Sequence, residues 1–222
     1  MVRQRIRIRF RKEGDLRLIS HRDLVRLFER LLRRAELPLS MTEGYHPKPR
    51  MSFPLALALG IAGIDEVMEL ELAREYTSDE LREVVTPFLP LGLSFTSIEV
   101  LADGAAKARV KQVELETPVP ESRRAALQIK IDELLASSEI LIERARRREP
   151  IDLRSSINAL TLDGGTLRIT LRVTGKGDAR PREILACLGL DDLEAEGCFL
   201  TRSNVQIDHP TPSRQSPAST AT

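Results

Sequence analysis

Arginine occupies every second position at the start of this chain: Arg3, Arg5, Arg7, Arg9 and Arg11 alternate with Gln4, Ile6, Ile8 and Phe10. Period-two alternation puts all five guanidinium groups on one face of a β-strand and the isoleucines and phenylalanine on the other. Same-face neighbours lie roughly 6.6 Å apart, so five cations in a row repel one another unless anions lie across them. Two arrangements meet that need. Either a polyanion lies over the face, or glutamates of an adjacent strand pair with it.

After this strand, Ser20 opens a helix with Asp23 at its third position, close to a capping box. Leu24, Leu27, Phe28, Leu31 and Leu32 form its apolar stripe, and Arg22, Arg26, Arg30, Arg33 and Arg34 the other side. Pro38 ends it. A strand from Leu39 to Thr42, a turn region from Gly44 to Pro49 and an extended segment near Arg50 to Leu55 are predicted next. A strand from Val67 to Leu72, a helix from Ser78 to Phe88 and a strand from Ser94 to Val100 complete the half. The order β-α-β-β-α-β is the split βαβ, or ferredoxin-like, arrangement, with both helices on one face of an antiparallel sheet and the other face open.

Small residues around Gly104 read as a linker, residues 102–109. The pattern then restarts: a strand from Lys111 to Glu116, a helix from Glu121 to Ser137 and a strand from Ile140 to Arg144. Strands from Ile157 to Leu162 and Thr166 to Val173 are joined by Asp163-Gly164-Gly165, a hairpin signal. A helix from Pro181 to Leu188 and a strand from Phe199 to Ile207 follow. The expectation is an α+β protein of two ferredoxin-like domains in tandem, residues 1–101 and 110–207, with a disordered Pro/Ser/Thr/Ala tail at 208–222.

Charge is unevenly placed. Residues 1–50 carry 14 Lys and Arg against 6 Asp and Glu, and the remainder 20 against 27. An anion-binding face at the N-terminal end follows more directly from this than from the net charge of +1. No apolar run is long enough to span a bilayer and the arginine-rich start does not resemble a secretory signal, so a cytoplasmic location is expected. Cys187 and Cys198 have no metal or disulfide spacing and read as small buried residues.

Gly44-Tyr45-His46-Pro47-Lys48-Pro49-Arg50 is the most distinctive local motif. Two prolines stiffen it, so an aromatic ring, an imidazole and two cations are held out together. Tyr45 could stack on a base of single-stranded nucleic acid while Lys48 and Arg50 meet phosphates. Equally, it could be a rigid connector with Tyr45 in the core. The expected nucleic-acid surface comprises Arg5, Arg7, Arg9, Arg22, Tyr45, His46, Lys48 and Arg50. His46 and His21 are the candidates for acid–base catalysis, although His21 beside Ser20 also suits a helix start. No metal site, Walker loop or dinucleotide fingerprint is present. Arg144, Arg146, Arg147 and Arg148 form a second basic cluster, and Gly175-Lys176-Gly177 before Arg180 and Arg182 a candidate phosphate loop.

Three segments carry a family resemblance. They are R-x-R-F-x-K-x-G-x-L-R-x-I-S-H-x-D from Arg7 to Asp23, G-Y-H-P-K-P-R-M-S-F from Gly44 to Phe53, and the stretch from Leu57 to Ile61 with its glycine at Gly60. In these the chain resembles the radical-SAM-linked proteins, a bacterial family encoded beside or fused to a radical SAM protein with a cobalamin-binding part. The resemblance implies a partner enzyme that holds the iron–sulfur cluster, S-adenosylmethionine and cobalamin. This chain has too few cysteines for such a cluster and is expected to carry no cofactor. Tandem ferredoxin-like architecture also resembles the CRISPR repeat-processing endoribonucleases.

Three functions are therefore open at this point. The leading one is a non-catalytic accessory protein that binds RNA, tRNA or rRNA, for a separate radical SAM enzyme in modification or processing. A second is a protein–protein adaptor for that enzyme without RNA contact. The third is a metal-independent endoribonuclease with His46 as base and Lys48 or Arg50 stabilising the phosphate.

Overall fold

The computed structural model describes residues 3–145, 149–175 and 177–208 of the chain. The alternating arginine segment is β1 (Gln4–Lys12), and the leucine-striped segment is α1 (His21–Arg34). Ser20 caps α1 by accepting from the Asp23 amide at 3.2 Å and donating to the Asp23 carboxylate at 2.6 Å. Then come β2 (Met51–Ser52), β3 (Ala62–Leu72), α2 (Ser78–Val85) and β4 (Leu93–Val100). The second half adds β5 (Val110–Pro118), α3 (Glu121–Ala136), the two-residue strands β6 (Leu141–Ile142) and β7 (Ile151–Asp152), and β8 (Ile157–Asp163). β9 (Thr166–Arg172), α4 (Pro181–Cys187) and β10 (Thr201–Ile207) close it. Gly164 and Gly165 both take positive φ (56° and 86°), as a two-residue hairpin between β8 and β9 requires.

Both halves contribute to one mostly antiparallel eight-stranded sheet in the order β4-β1-β3-β10-β5-β9-β8, with β2 on β3. Leaving aside β6 and β7, which pair only with each other, and numbering the remaining four strands within each half, the neighbour order is 4-1-3-2 both times. The seam is a short parallel contact in which Thr201 and Arg202 of β10 meet Ala62 and Gly63 of β3. Sequence periodicity predicts two sheets, because the seam strand pair joins segments about 140 residues apart and no local pattern records it. Two hydrophobic clusters follow the halves: α1 and α2 over Ile6, Ile8, Phe10, Met68 and Leu70, and α3 and α4 over Val113, Leu115, Ile169 and Leu171. Leu57, Ile61 and Val67 cross over, coming from the first half but packing into the core of the second.

Several elements differ from expectation. No strand forms from Leu39 to Thr42: Leu39 and Met41 make isolated bridges to Leu72 and Pro49, because the far edge of β3 is shared among this segment, β2 and β10. The strand expected from Ile140 to Arg144 shortens to β6. The helix ends at Val85, with Thr86–Phe88 tightening to a 3-10 turn around Pro87. Cys187 is exposed, since Ile184 and Leu185 take the inward positions of α4, and Cys198 is half-buried. Arg146, Arg147, Arg148, Lys176 and the tail from residue 209 lie outside the described residues. Among those described, no helix is long and apolar enough to cross a membrane.

Candidate functional site

Residues on β1 show how the chain answers its own charge. Arg5 and Arg7 both reach Glu69 of β3, at 2.8 and 2.9 Å, and Arg7 also approaches Glu99 of β4 at 3.4 Å. Arg9 pairs with Asp65 and donates to the Val205 carbonyl at 3.3 Å, while Arg11 stands 3.7 Å from Glu13. The segment predicted as a linker lies across this face. Arg5 donates to the Ala105 carbonyl, and the Ala108 amide donates to Glu69 at 3.2 Å. Arg7 is consequently only 6% exposed. Of the two arrangements that the alternation permits, pairing with acids of adjacent strands is the one formed.

Exposed cations lie instead along α1. Arg22, Arg26, Arg30 and Arg34 follow one another at i, i+4 spacing, with Arg33 alongside, and all five are exposed. Only Arg26 has a partner on the helix, Asp23 at 3.6 Å. The last turn of α1 leads through Leu37 to the Leu72 end of β3, where Pro38 accepts from the Ala73 amide at 2.7 Å. From that end projects the hairpin containing residues 43–50. Its backbone is closed by Thr42 and Lys48 at 2.8 Å, and Tyr45 at its tip is fully exposed rather than tucked into the core. His46 and Lys48 share that exposed turn. Arg50 is more restrained, donating to the Met41 carbonyl at 3.1 Å and lying 3.8 Å from Glu71. Arg5 and Arg50 come together in a small cavity of about 200 Å3 with Lys107 and Thr42.

The two histidines are not brought together. His21 is the first residue of α1 and His46 belongs to the hairpin reached from its other end, so a 14-residue helix of about 21 Å lies between the two regions. Among the described residues, no group of three or more His, Cys, Asp or Glu is placed to hold a metal ion. Arg144 is bound to Glu183 at 2.6 and 2.7 Å. The Gly175 loop turns its amides on Asp178, which accepts from Thr174 and Gly175 at 2.8 Å each.

A second constellation, which the motifs do not announce, sits at the seam. Lys12 is fully buried, and its ammonium donates to the Ile19 carbonyl at 3.1 Å. Glu66 and Arg202 form a buried pair, with Nε to Oε1 at 2.7 Å and a second contact from Nη2 to Oε2. Arg202 further donates to the carbonyls of Ala56 (3.2 Å) and Leu55 (3.4 Å), tying down the segment that crosses between halves. Burial pushes the Lys12 ammonium below its ordinary pKa, partly offset by Glu66. The His21 imidazole is lowered too, by burial first and then by the charges of Lys12 and Arg202. The signal was available in the alternation. Lys12 continues the inward series Ile6, Ile8, Phe10, and Glu66 begins the inward series Met68, Leu70, Leu72, so each is a charge at a core position.

Of these groups, His21 and Arg202 line a cavity of about 830 Å3 between the halves. The first half contributes Ser20, His21 and the Leu55–Ile61 segment, the second a floor of Val113, Leu115 and Leu171 and the start of α4. A family model described as Uncharacterized protein conserved in bacteria (DUF2344) matches residues 5–181, which takes in the arginine strand, α1, the hairpin and most of this cavity. The chain belongs to that family. No curated protein matches this DUF2344 member.

Proposed function

We propose that this DUF2344 protein is a non-catalytic RNA-binding accessory protein, built from two ferredoxin-like units fused edge to edge, that serves a separate radical SAM enzyme in tRNA or rRNA modification or processing. The observation that carries the RNA reading is the exposed row Arg22, Arg26, Arg30 and Arg34 on α1. Like charges at i, i+4 spacing disfavour a helix by about 0.2–0.5 kcal/mol per pair, a cost that a polyanion across the row removes. Tyr45, Lys48 and His46 extend the surface with a ring for base stacking and further cationic or hydrogen-bonding groups. Arg5, Arg7 and Arg9, held by Glu69, Glu99 and Asp65, support the sheet beneath rather than carry the main phosphate contacts. The partner enzyme, with its iron–sulfur cluster, S-adenosylmethionine and cobalamin, is inferred from the resemblance in the Arg7–Asp23 and Gly44–Phe53 segments.

Filter binding of structured RNA over a salt series tests the first part. Affinity is expected to fall steeply with salt. Arg26→Glu/Arg30→Glu should weaken binding and flatten the logarithmic slope by about 0.7 for each phosphate that is no longer neutralised. Unchanged affinity in the double variant would remove α1 as the interface. Binding no tighter than that of an acidic protein of similar size would remove RNA altogether.

One observation favours the adaptor reading. Phe88 and Pro90 form an apolar hollow with Leu27 and Leu31 that is rimmed by Arg30, Arg33 and Arg34, a shape suited to an acidic protein surface with an apolar anchor. Association with the radical SAM enzyme that survives ribonuclease treatment and disappears in Phe88→Asp supports that reading; association abolished by ribonuclease supports the RNA one.

A further inference from the structure

The 830 Å3 cavity at the seam has no part in the RNA reading, yet it falls within the roughly 300–1,000 Å3 range of small-ligand sites. Its floor and one wall are aliphatic, from Val113, Leu115, Leu171, Leu55 and Leu57. Four arginines and two acids also belong to its lining residues, and none of the six has charge to spare for an occupant. Asp178 accepts from Thr174 and Gly175, and Glu183 accepts from Nε and Nη2 of Arg144. Arg202 is taken up by the buried Glu66. Arg182 pairs with Glu194 at 2.7 Å and donates to the Leu59 carbonyl at 2.8 Å, which ties α4 to the opposite wall and fixes the width of the cavity there. Arg172 points away. Leu171 faces the core, so its neighbour's side chain lies on the other face of the sheet, where it donates to Asn158 at 3.1 Å. The Arg180 side chain is 69% exposed and reaches into solvent. His21, also on the lining, is uncharged near neutral pH, because burial and the charges of Lys12 and Arg202 lower its pKa. A cavity with aliphatic walls and no uncommitted charge is complementary to an uncharged molecule.

We propose that the seam cavity binds a small, uncharged apolar molecule, its body against Leu57, Val113, Leu115 and Leu171. Apolar burial supplies the driving force, and the committed charges set the selectivity: a carboxylate entering the cavity gives up its water and finds no free counter-charge to replace it. The same body without the charge meets no such penalty. Aliphatic and aromatic compounds share this chemistry. Because the seam is made by both halves, occupancy also strengthens their union by mass action.

N-Phenyl-1-naphthylamine, an uncharged dye that brightens in apolar surroundings, is the probe, titrated against the full chain. One saturable site is expected. Decanol and naphthalene-2-methanol are the competitors for the two kinds of body, and the one that fits displaces the dye at least about tenfold better than its own acid, decanoate or naphthalene-2-carboxylate. Ala58 and Ala186 are exposed lining positions, so Ala58→Trp and Ala186→Trp can fill the space without disturbing the core. Loss of the dye site in either variant, with the thermal midpoint retained, supports the seam as its location. A dye site that survives in both folded variants overturns the proposal. So does displacement by the acid that equals or exceeds displacement by its alcohol, or the absence of saturable dye binding.

Discussion

A single half-buried side chain can set a pH response, and His21 does so here because its surroundings oppose its charge. Burial acts first, then Lys12 and Arg202 close by, and Glu66 offsets them only in part. The folded imidazole therefore titrates below its ordinary 6.5. Between that lowered pKa and 6.5 the unfolded chain binds a proton that the folded chain refuses, so stability rises with pH through the window and falls as pH drops below about 6.5. His21→Gln lacks the titration. Urea midpoints at pH 7.5 and 5.5 should show the parent losing more stability than the variant on acidification. Parallel profiles would mean that His21 is as well solvated folded as unfolded.

At the scale of elements, β3 explains both what could be read in advance and what could not. Its Val67–Leu72 stretch alternates cleanly, so the strand is legible from sequence. Its first five residues, Ala62–Glu66, do not alternate in that way, yet they form strand because β1 pairs with Gly63 and Glu66 on one side and β10 arrives in parallel at Ala62 and Gly63 on the other. Leu39 to Thr42 has strand-like residues and no edge of its own to pair along. The α1 arginines were legible as an exposed face because a helix covering a sheet has one. The β1 arginines were ambiguous, since period two gives the face and not what lies across it. Gly63 marks the seam within β3. A Cβ there would stand 2.5 Å from Glu66 Oε1 and 2.6 Å from its Cγ, and Arg202 pins that carboxylate. In an ordinary strand Gly→Ala is stabilising, because it removes unfolded-state freedom. Here Gly63→Ala is expected to destabilise by about 1–3 kcal/mol through overpacking, read by urea denaturation. A neutral or stabilising result would place the Glu66 side chain elsewhere.

For the whole molecule, the question is whether two similar halves behave as one. The parallel seam between β3 and β10 is only two residue pairs long, too little by itself to couple them. Packing adds more, since Leu57 and Ile61 leave the first half to enter the second core. Arg9 and Asp65 bond the Val205 carbonyl and amide across the seam, and the buried pair Glu66–Arg202 joins β3 to β10 and, through the Leu55 and Ala56 carbonyls, holds the crossing segment in place. Removing one partner of a buried pair strands the other charge, at a cost of about 3–5 kcal/mol, and here Lys12 would be left beside Arg202 without its counter-ion. That is a large share of the roughly 5–15 kcal/mol that holds an ordinary domain. Glu66→Gln is therefore expected to lower the unfolding midpoint strongly while keeping a single transition. Hydrogen exchange gives the sharper test, because it reads β1 and β9 separately. If the seam makes one cooperative unit, protection in both strands falls by the same factor in Glu66→Gln. A drop confined to β1, with β9 unchanged, would show that the halves open independently and that the pair stabilises only the edge on which it sits.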